Sequence, residues 1–165
     1  GAYLFKSEKK SDVRLLASGL TLRFALEAAE KLLDFGVKAD IWSITSFNEL
    51  AREGNAIDRE KLHEVSKKES YVEKCFGNQL TTIAVSEYQK LYSEQIRKWI
   101  NGNYVCLGTD GYGRSDTREK LRSFFEIDTK HIVFNSLKAL GKDKEAKKYA
   151  KENNLKFDSR HYLKR

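Results

Sequence analysis

Asp110, Arg114, Asp116 and Arg118 are the residues whose type and spacing promise chemistry. They sit in Leu107-Gly108-Thr109-Asp110-Gly111-Tyr112-Gly113-Arg114-Ser115-Asp116-Thr117-Arg118-Glu119, where three glycines fall within six residues. Glycine lets a backbone turn sharply and adopt positive φ without a Cβ penalty. Asp116 with Glu119 three residues on is a helix-start signature, and Ser115 is a second candidate cap. An apolar run, Tyr104–Leu107, enters the turn, and Leu121, Phe124 and Phe125 leave it at helical spacing. A strand, a glycine-rich turn and a helix N-terminus can hold an anion. The same arrangement is an ordinary corner of an α/β sheet. Two acids beside two bases also suit a self-satisfied ion-pair latch, Arg114 and Arg118 on Asp110 and Asp116, with no net field left to recruit a phosphate.

Other reactive groups are sparse. His63 lies in a charged helical stretch, His131 near a helix start and His161 close to the end, none beside a nucleophile or a metal-ligand partner. Cys75 and Cys106 lack metal-ligand spacing and read as buried, reduced thiols. No residue is therefore assigned a catalytic, cofactor-binding or metal-binding role.

The elements that must position the turn follow from periodicity. Ala2–Lys6 alternates as a short edge strand. Val13–Ala17, Ala39–Ile44, Thr81–Val85 and Tyr104–Leu107 are short apolar runs suited to strands buried on both faces. Between them, Leu22, Ala25, Leu26, Ala29, Leu32 and Leu33 form one helical stripe that stops at Phe35-Gly36. Ser46 with Glu49 is a capping box that opens a short helix ending at Gly54. Residues 58–67 read as a separate exposed helix, and residues 70–77 fit no single pattern. Ser86 with Gln89 is a further capping box, for a helix with a stripe at Tyr88, Leu91, Tyr92, Ile96, Trp99 and Ile100. Asp128 caps a helix through Ile132, Val133, Leu137 and Leu140, and residues 142–153 form a polar helix before a frayed end. Tyr88, Tyr92, Trp99, Phe124 and Phe125 read as core or subunit contact. Strands alternating with helices predict a three-layer α/β/α domain with a mostly parallel sheet.

The chain has 165 residues, one domain's worth, with neither methionine nor proline. The missing methionine is the mark expected of a piece of a longer protein. Of the net charge of +7, +6 lies in residues 138–165, which hold ten Lys/Arg and four Asp/Glu. The near-neutral remainder argues against a nucleic-acid-binding face, and no run is long enough for a membrane span. Residues 142–165 thus read as a polar basic extension of a single domain.

Three segments carry a resemblance in common order and spacing: Ile44-Thr45-Ser46-Phe47-Asn48-Glu49-Leu50-Ala51-Arg52-Glu53-Gly54, Tyr88-Gln89-Lys90-Leu91-Tyr92-Ser93-Glu94-Gln95-Ile96-Arg97, and the 108–119 turn. From about Val13 to about Leu140 the chain resembles the C-terminal part of the homodimeric bacterial pyruvate dehydrogenase, the thiamin-diphosphate-dependent decarboxylating component of its complex. It departs at the end, where Asp158-Ser159-Arg160-His161-Tyr162-Leu163-Lys164-Arg165 replaces the family's Asn-Pro-Arg-like tail. The resemblance implies a transketolase C-terminal-like domain with five strands in the order 1-3-2-4-5, the first antiparallel. It implies a cytoplasmic parent enzyme, an oxidoreductase of the step from glycolysis to acetyl-CoA that uses thiamin diphosphate and Mg. The implied partners are the remaining domains of the parent chain, a second subunit and the dihydrolipoyl acetyltransferase, toward which the basic tail would steer. The family's Gly-Asp-Gly motif and following asparagine pair are absent: Gly108-Thr109-Asp110-Gly111 has another order, and Asn153-Asn154 is too distant. This piece alone is expected to be an inactive scaffold and dimer-contact domain. The alternative is a stand-alone α/β module that binds a small molecule or anion at the 108–118 turn.

Overall fold

The computed structural model describes residues 1–64 and 67–157. Residues 158–165, with His161 and the expected fraying of the end, lie outside the described residues, as do Val65 and Ser66. Five strands, β1 (Ala2–Lys6), β2 (Val13–Ala17), β3 (Ala39–Ile44), β4 (Thr81–Val85) and β5 (Tyr104–Leu107), form one sheet in the order β1-β3-β2-β4-β5. β2, β3, β4 and β5 pair in parallel, and β1 runs antiparallel along β3 as an edge. The expected α/β/α fold and strand order are both present.

Period-two alternation splits the strand residues between two cores. Val13, Leu15, Ala17, Ile41, Ile83, Val85 and Leu107 face α1 (Thr21–Leu33), α6 (Thr129–Ala139) and α7 (Asp143–Glu152). Leu16, Ile44, Ala84, Tyr104 and Cys106 face α2 (Phe47–Leu62), α3 (Tyr71–Phe76) and the region of α4 (Lys90–Glu94). The sheet is buried on both sides, as parallel sheets are. α7 also joins the first core, where Ala146 and Tyr149 are buried.

Three helix expectations are corrected. Gly54 does not end a helix: α2 runs through it, from the Ser46 cap on the Glu49 amide, to Leu62. A Cβ at Gly54 would lie 2.5 Å from the Trp99 ring, so the glycine there makes room for an indole. The second expected helix is thus the distal half of α2. Ser86 and Gln89 form no capping box, since the Ser86 hydroxyl takes the Tyr88 amide instead. The segment breaks into α4 and a 3-10 turn, Arg97–Trp99, leaving Tyr88 and Leu91 exposed while Ile96, Trp99 and Ile100 reach the core. The ambiguous stretch forms α3, which opens on a Ser70–Glu73 capping box.

Candidate functional site

Ligands of open α/β sheets bind at the carboxyl ends of the strands, where successive connections leave in opposite directions. In this order that point lies between β2 and β4. The Thr21 hydroxyl bridges the two strand ends there. It accepts the Ser18 amide at 3.1 Å and lies 2.8 Å from the Ser18 carbonyl and 2.9 Å from the Val85 carbonyl. Thr21 is fully buried, and the Ser18 amide also reaches the Val85 carbonyl at 3.1 Å. The ends of β2 and β4 are thus tied to each other by the chain's own polar groups.

The glycine-rich turn starts as a stapled sheet corner. A Cβ on Gly108 would sit 2.6 Å from the Tyr88 carbonyl oxygen and 2.8 Å from the Lys90 nitrogen, so only glycine permits the approach. The Thr109 amide donates to the Tyr88 carbonyl at 2.9 Å, and the Thr109 hydroxyl donates to the Glu87 carbonyl at 2.8 Å. Asp110 accepts the Lys90 amide at 3.0 Å and faces the Lys90 ammonium at 3.8 Å.

No ion pair joins any two of Asp110, Arg114, Asp116 and Arg118 among the described residues, so the expected Arg–Asp pairing of the latch is corrected. Arg114 lies over the Phe124 ring at 4.2 Å. Asp116 accepts the Thr117 amide at 2.8 Å and pairs with Lys120 at 3.5 Å. Neither Asp116 nor Ser115 caps the helix that follows. Thr117 does, its extended backbone turning its hydroxyl to the Lys120 amide ahead of α5 (Arg118–Phe124). Lysines take the places expected of the arginines: Lys90 is stapled beside Asp110, and Lys120 reaches Asp116 from four residues along the chain.

Two clefts flank this edge and share Glu87. One, of 490 Å³, lies among Ser18, Gly19, Thr45, Glu87 and Tyr88. The other, of 460 Å³, has Leu20, Leu121, Phe125 and Ile127 as apolar walls and Arg118 and Arg122 as cations. Glu87 already holds Arg122, at 3.1 Å. Arg118 has no ion-pair partner among the described residues. Arg122 and Glu87 are site residues that sequence reasoning missed. The i,i+4 spacing of Arg118 and Arg122 would have placed both on one helix face, but Glu87 has no local signal.

The remaining reactive groups are structural. Burial pushes the Cys106 thiol up to about 11, out of the range of a nucleophile at neutral pH. The His131 ring is buried with Nδ1 2.7 Å from Asp128 Oδ1, and Asp128 caps α6 as expected by accepting the His131 amide. His63 caps the C-terminus of α2. Among the described residues, no three His, Cys, Asp or Glu side chains converge as a metal site, and no helix is long and apolar enough to cross a membrane.

Residues 1–128 match the profile of the transketolase-like TK C-terminal domain. The chain is 51% identical over 148 residues to the pyruvate dehydrogenase E1 component of Pseudomonas aeruginosa, a match covering 85% of this chain and 17% of that protein. It is 41% identical over 167 residues to the pyruvate dehydrogenase E1 component of Cupriavidus necator, covering 93% of this chain and 19% of that protein. The chain thus spans less than a fifth of the length of either relative. Among solved structures, transketolase from Leishmania mexicana superposes with a TM-score of 0.62 at 18% identity, over 86% of this chain and 18% of that one. At that identity the likeness is one of fold.

Proposed function

The chain belongs to the transketolase-like TK C-terminal domain family, and on that premise we propose that it is the non-catalytic scaffold and dimer-contact domain of a bacterial, cytoplasmic pyruvate dehydrogenase E1 component. In this reading the longer protein decarboxylates pyruvate with thiamin diphosphate and Mg²⁺ and acetylates lipoyl groups of a dihydrolipoyl acetyltransferase. The observation that carries it is 51% identity over 85% of the chain to a protein of that name. Nucleic acid and membrane have no part in it.

The site geometry supports the division of labour. The chain's own residues do not fit a magnesium diphosphate. The Thr21 hydroxyl is spent on Ser18 and Val85, Asp110 is spent on Lys90, and Glu87 is spent on Arg122. The carboxyl edge does expose large apolar side chains, Tyr88 at 63%, Leu91 at 69% and Tyr112 at 77%. Such a face suits cover by another domain or subunit.

A second reading rests on Arg118, a cation without an ion-pair partner among the described residues in an apolar-walled cleft. It makes the chain an anion-binding module. Calorimetric titration separates the two. The chain alone gives no binding heat with thiamin diphosphate and Mg²⁺, whereas the longer protein does; micromolar affinity of the chain alone overturns the scaffold reading. Pyrophosphate binding abolished by Arg118→Ala would establish the second.

A further inference from the structure

A groove is built from α6, α7 and the segment that follows them. α7 ends where the Leu155 amide reaches back to the Ala150 carbonyl at 2.9 Å, with Asn154 at φ 53°. That reversal lays Phe157 along α6, its ring 4.5 Å from the Phe134 ring and 6.1 Å from His131. The result is a groove of 550 Å³ with Phe134, Leu155 and Phe157 as its apolar surface. Phe157 remains half exposed.

Four lysines line the same groove, Lys138, Lys147, Lys151 and Lys156, and among the described residues no acid does. Lys138 is held by Asp143. Lys147, Lys151 and Lys156 have no ion-pair partner among the described residues. Lys147 and Lys151 stand one helical turn apart on α7 and so present their charges along one line. Lys148 and Glu152, by contrast, pair with each other away from the groove, at 3.8 Å.

We propose that this groove docks an acidic protein segment that carries an aliphatic or aromatic anchor, the anchor on Phe134, Leu155 and Phe157 and the carboxylates on the lysines. Charge complementarity selects the occupant. A second copy of this chain, itself at +7, approaches with the same sign. A nucleic acid held by phosphates has no use for the apolar floor. A lipid surface needs a protruding apolar face, and this one is concave. The inference rests on the groove and holds whether or not the longer protein decarboxylates pyruvate.

The test is fluorescence anisotropy of the chain with a labelled poly-glutamate peptide interrupted by a central Leu-Phe pair, beside its Ala-Ala counterpart. Vesicles of phosphatidylserine and phosphatidylcholine and a DNA duplex serve as competitors. The anchored peptide binds about tenfold more tightly than the Ala-Ala peptide, the return expected of burying two apolar side chains in part. Lys147→Glu with Lys151→Glu abolishes that binding without changing the thermal midpoint by more than a few degrees, both side chains being exposed. Lys148→Glu leaves binding within about twofold. Equal binding of the two peptides would reduce the groove to a charged surface and overturn the proposal. So would a double variant that behaves like Lys148→Glu, or tighter binding of vesicles or DNA.

Discussion

Arg114 shows how a charge can be spent on packing. Its guanidinium lies over Phe124, and among the described residues no carboxylate is paired with it. An exposed cation over an aromatic face is worth roughly 0.5–1 kcal/mol. Arg114→Ala should therefore lower stability by about that amount in urea unfolding, and a loss of about 3 kcal/mol or more would point to a buried ion pair instead. Asp128 is the opposite case, a charge on which folding depends. Burial pushes its carboxyl up, but hydrogen bonds from the His131 ring and amide outweigh that and hold it below its ordinary value. A depressed carboxyl contributes stability above its unfolded pKa of about 3.9 and loses it as pH falls through the folded value. Asp128→Asn should thus be less stable than the parent at neutral pH, with the gap narrowing below about pH 4. Urea midpoints measured across that range check the sign, and a gap independent of pH would exclude Asp128 as the titrating group.

At the scale of elements, α2 is the instructive helix. Its sixteen residues contain a buried glycine that in isolation weakens a helix. The gain is tertiary: Trp99 packs where a Cβ would be, and its indole N–H reaches both Asp58 carboxylate oxygens at 3.1 Å, one turn further along α2. Gly54→Ala raises local helix propensity yet drives a methyl into that ring. The packing term is larger, so the variant should lose roughly 1–3 kcal/mol. Thermal unfolding measures it, and a stabilised variant would show that the indole has room to shift.

At the scale of the molecule, the basic end of the chain is both surface and core. Lysines crowd α7, but Ala146 and Tyr149 are buried against the sheet's first face. Burial pushes the Tyr149 phenol up to about 12, with the Asp128 charge adding to it. The profile that matches residues 1–128 stops short of α6 and α7, yet α6 supplies Ile132, Val133 and Leu137 to the same core. Truncation after Gly141 should accordingly destabilise the domain by roughly 3 kcal/mol or more, as removal of a large aromatic core residue does. A truncated chain with an unchanged melting temperature would make residues 142–165 a dispensable extension.

By itself the sequence determined which segments are strands and which side chains enter a core, because burial on both faces of a parallel sheet demands short apolar runs. Asp128 as a cap was equally legible, since a capping side chain reaches an amide only three residues away. The direction of β1 was not in the periodicity, which is two in either direction; it was carried by the family resemblance. Gly54 read as a stop because its reason, Trp99, lies 45 residues later. The site depended most on tertiary structure. Asp110 and Asp116 chose Lys90 and Lys120, Arg122 chose Glu87, and Arg118 was left facing a cleft, because an ion pair is decided by distances of a few ångströms between side chains. Where loops bring two strand ends together sets those distances, and no local pattern of residue types records them.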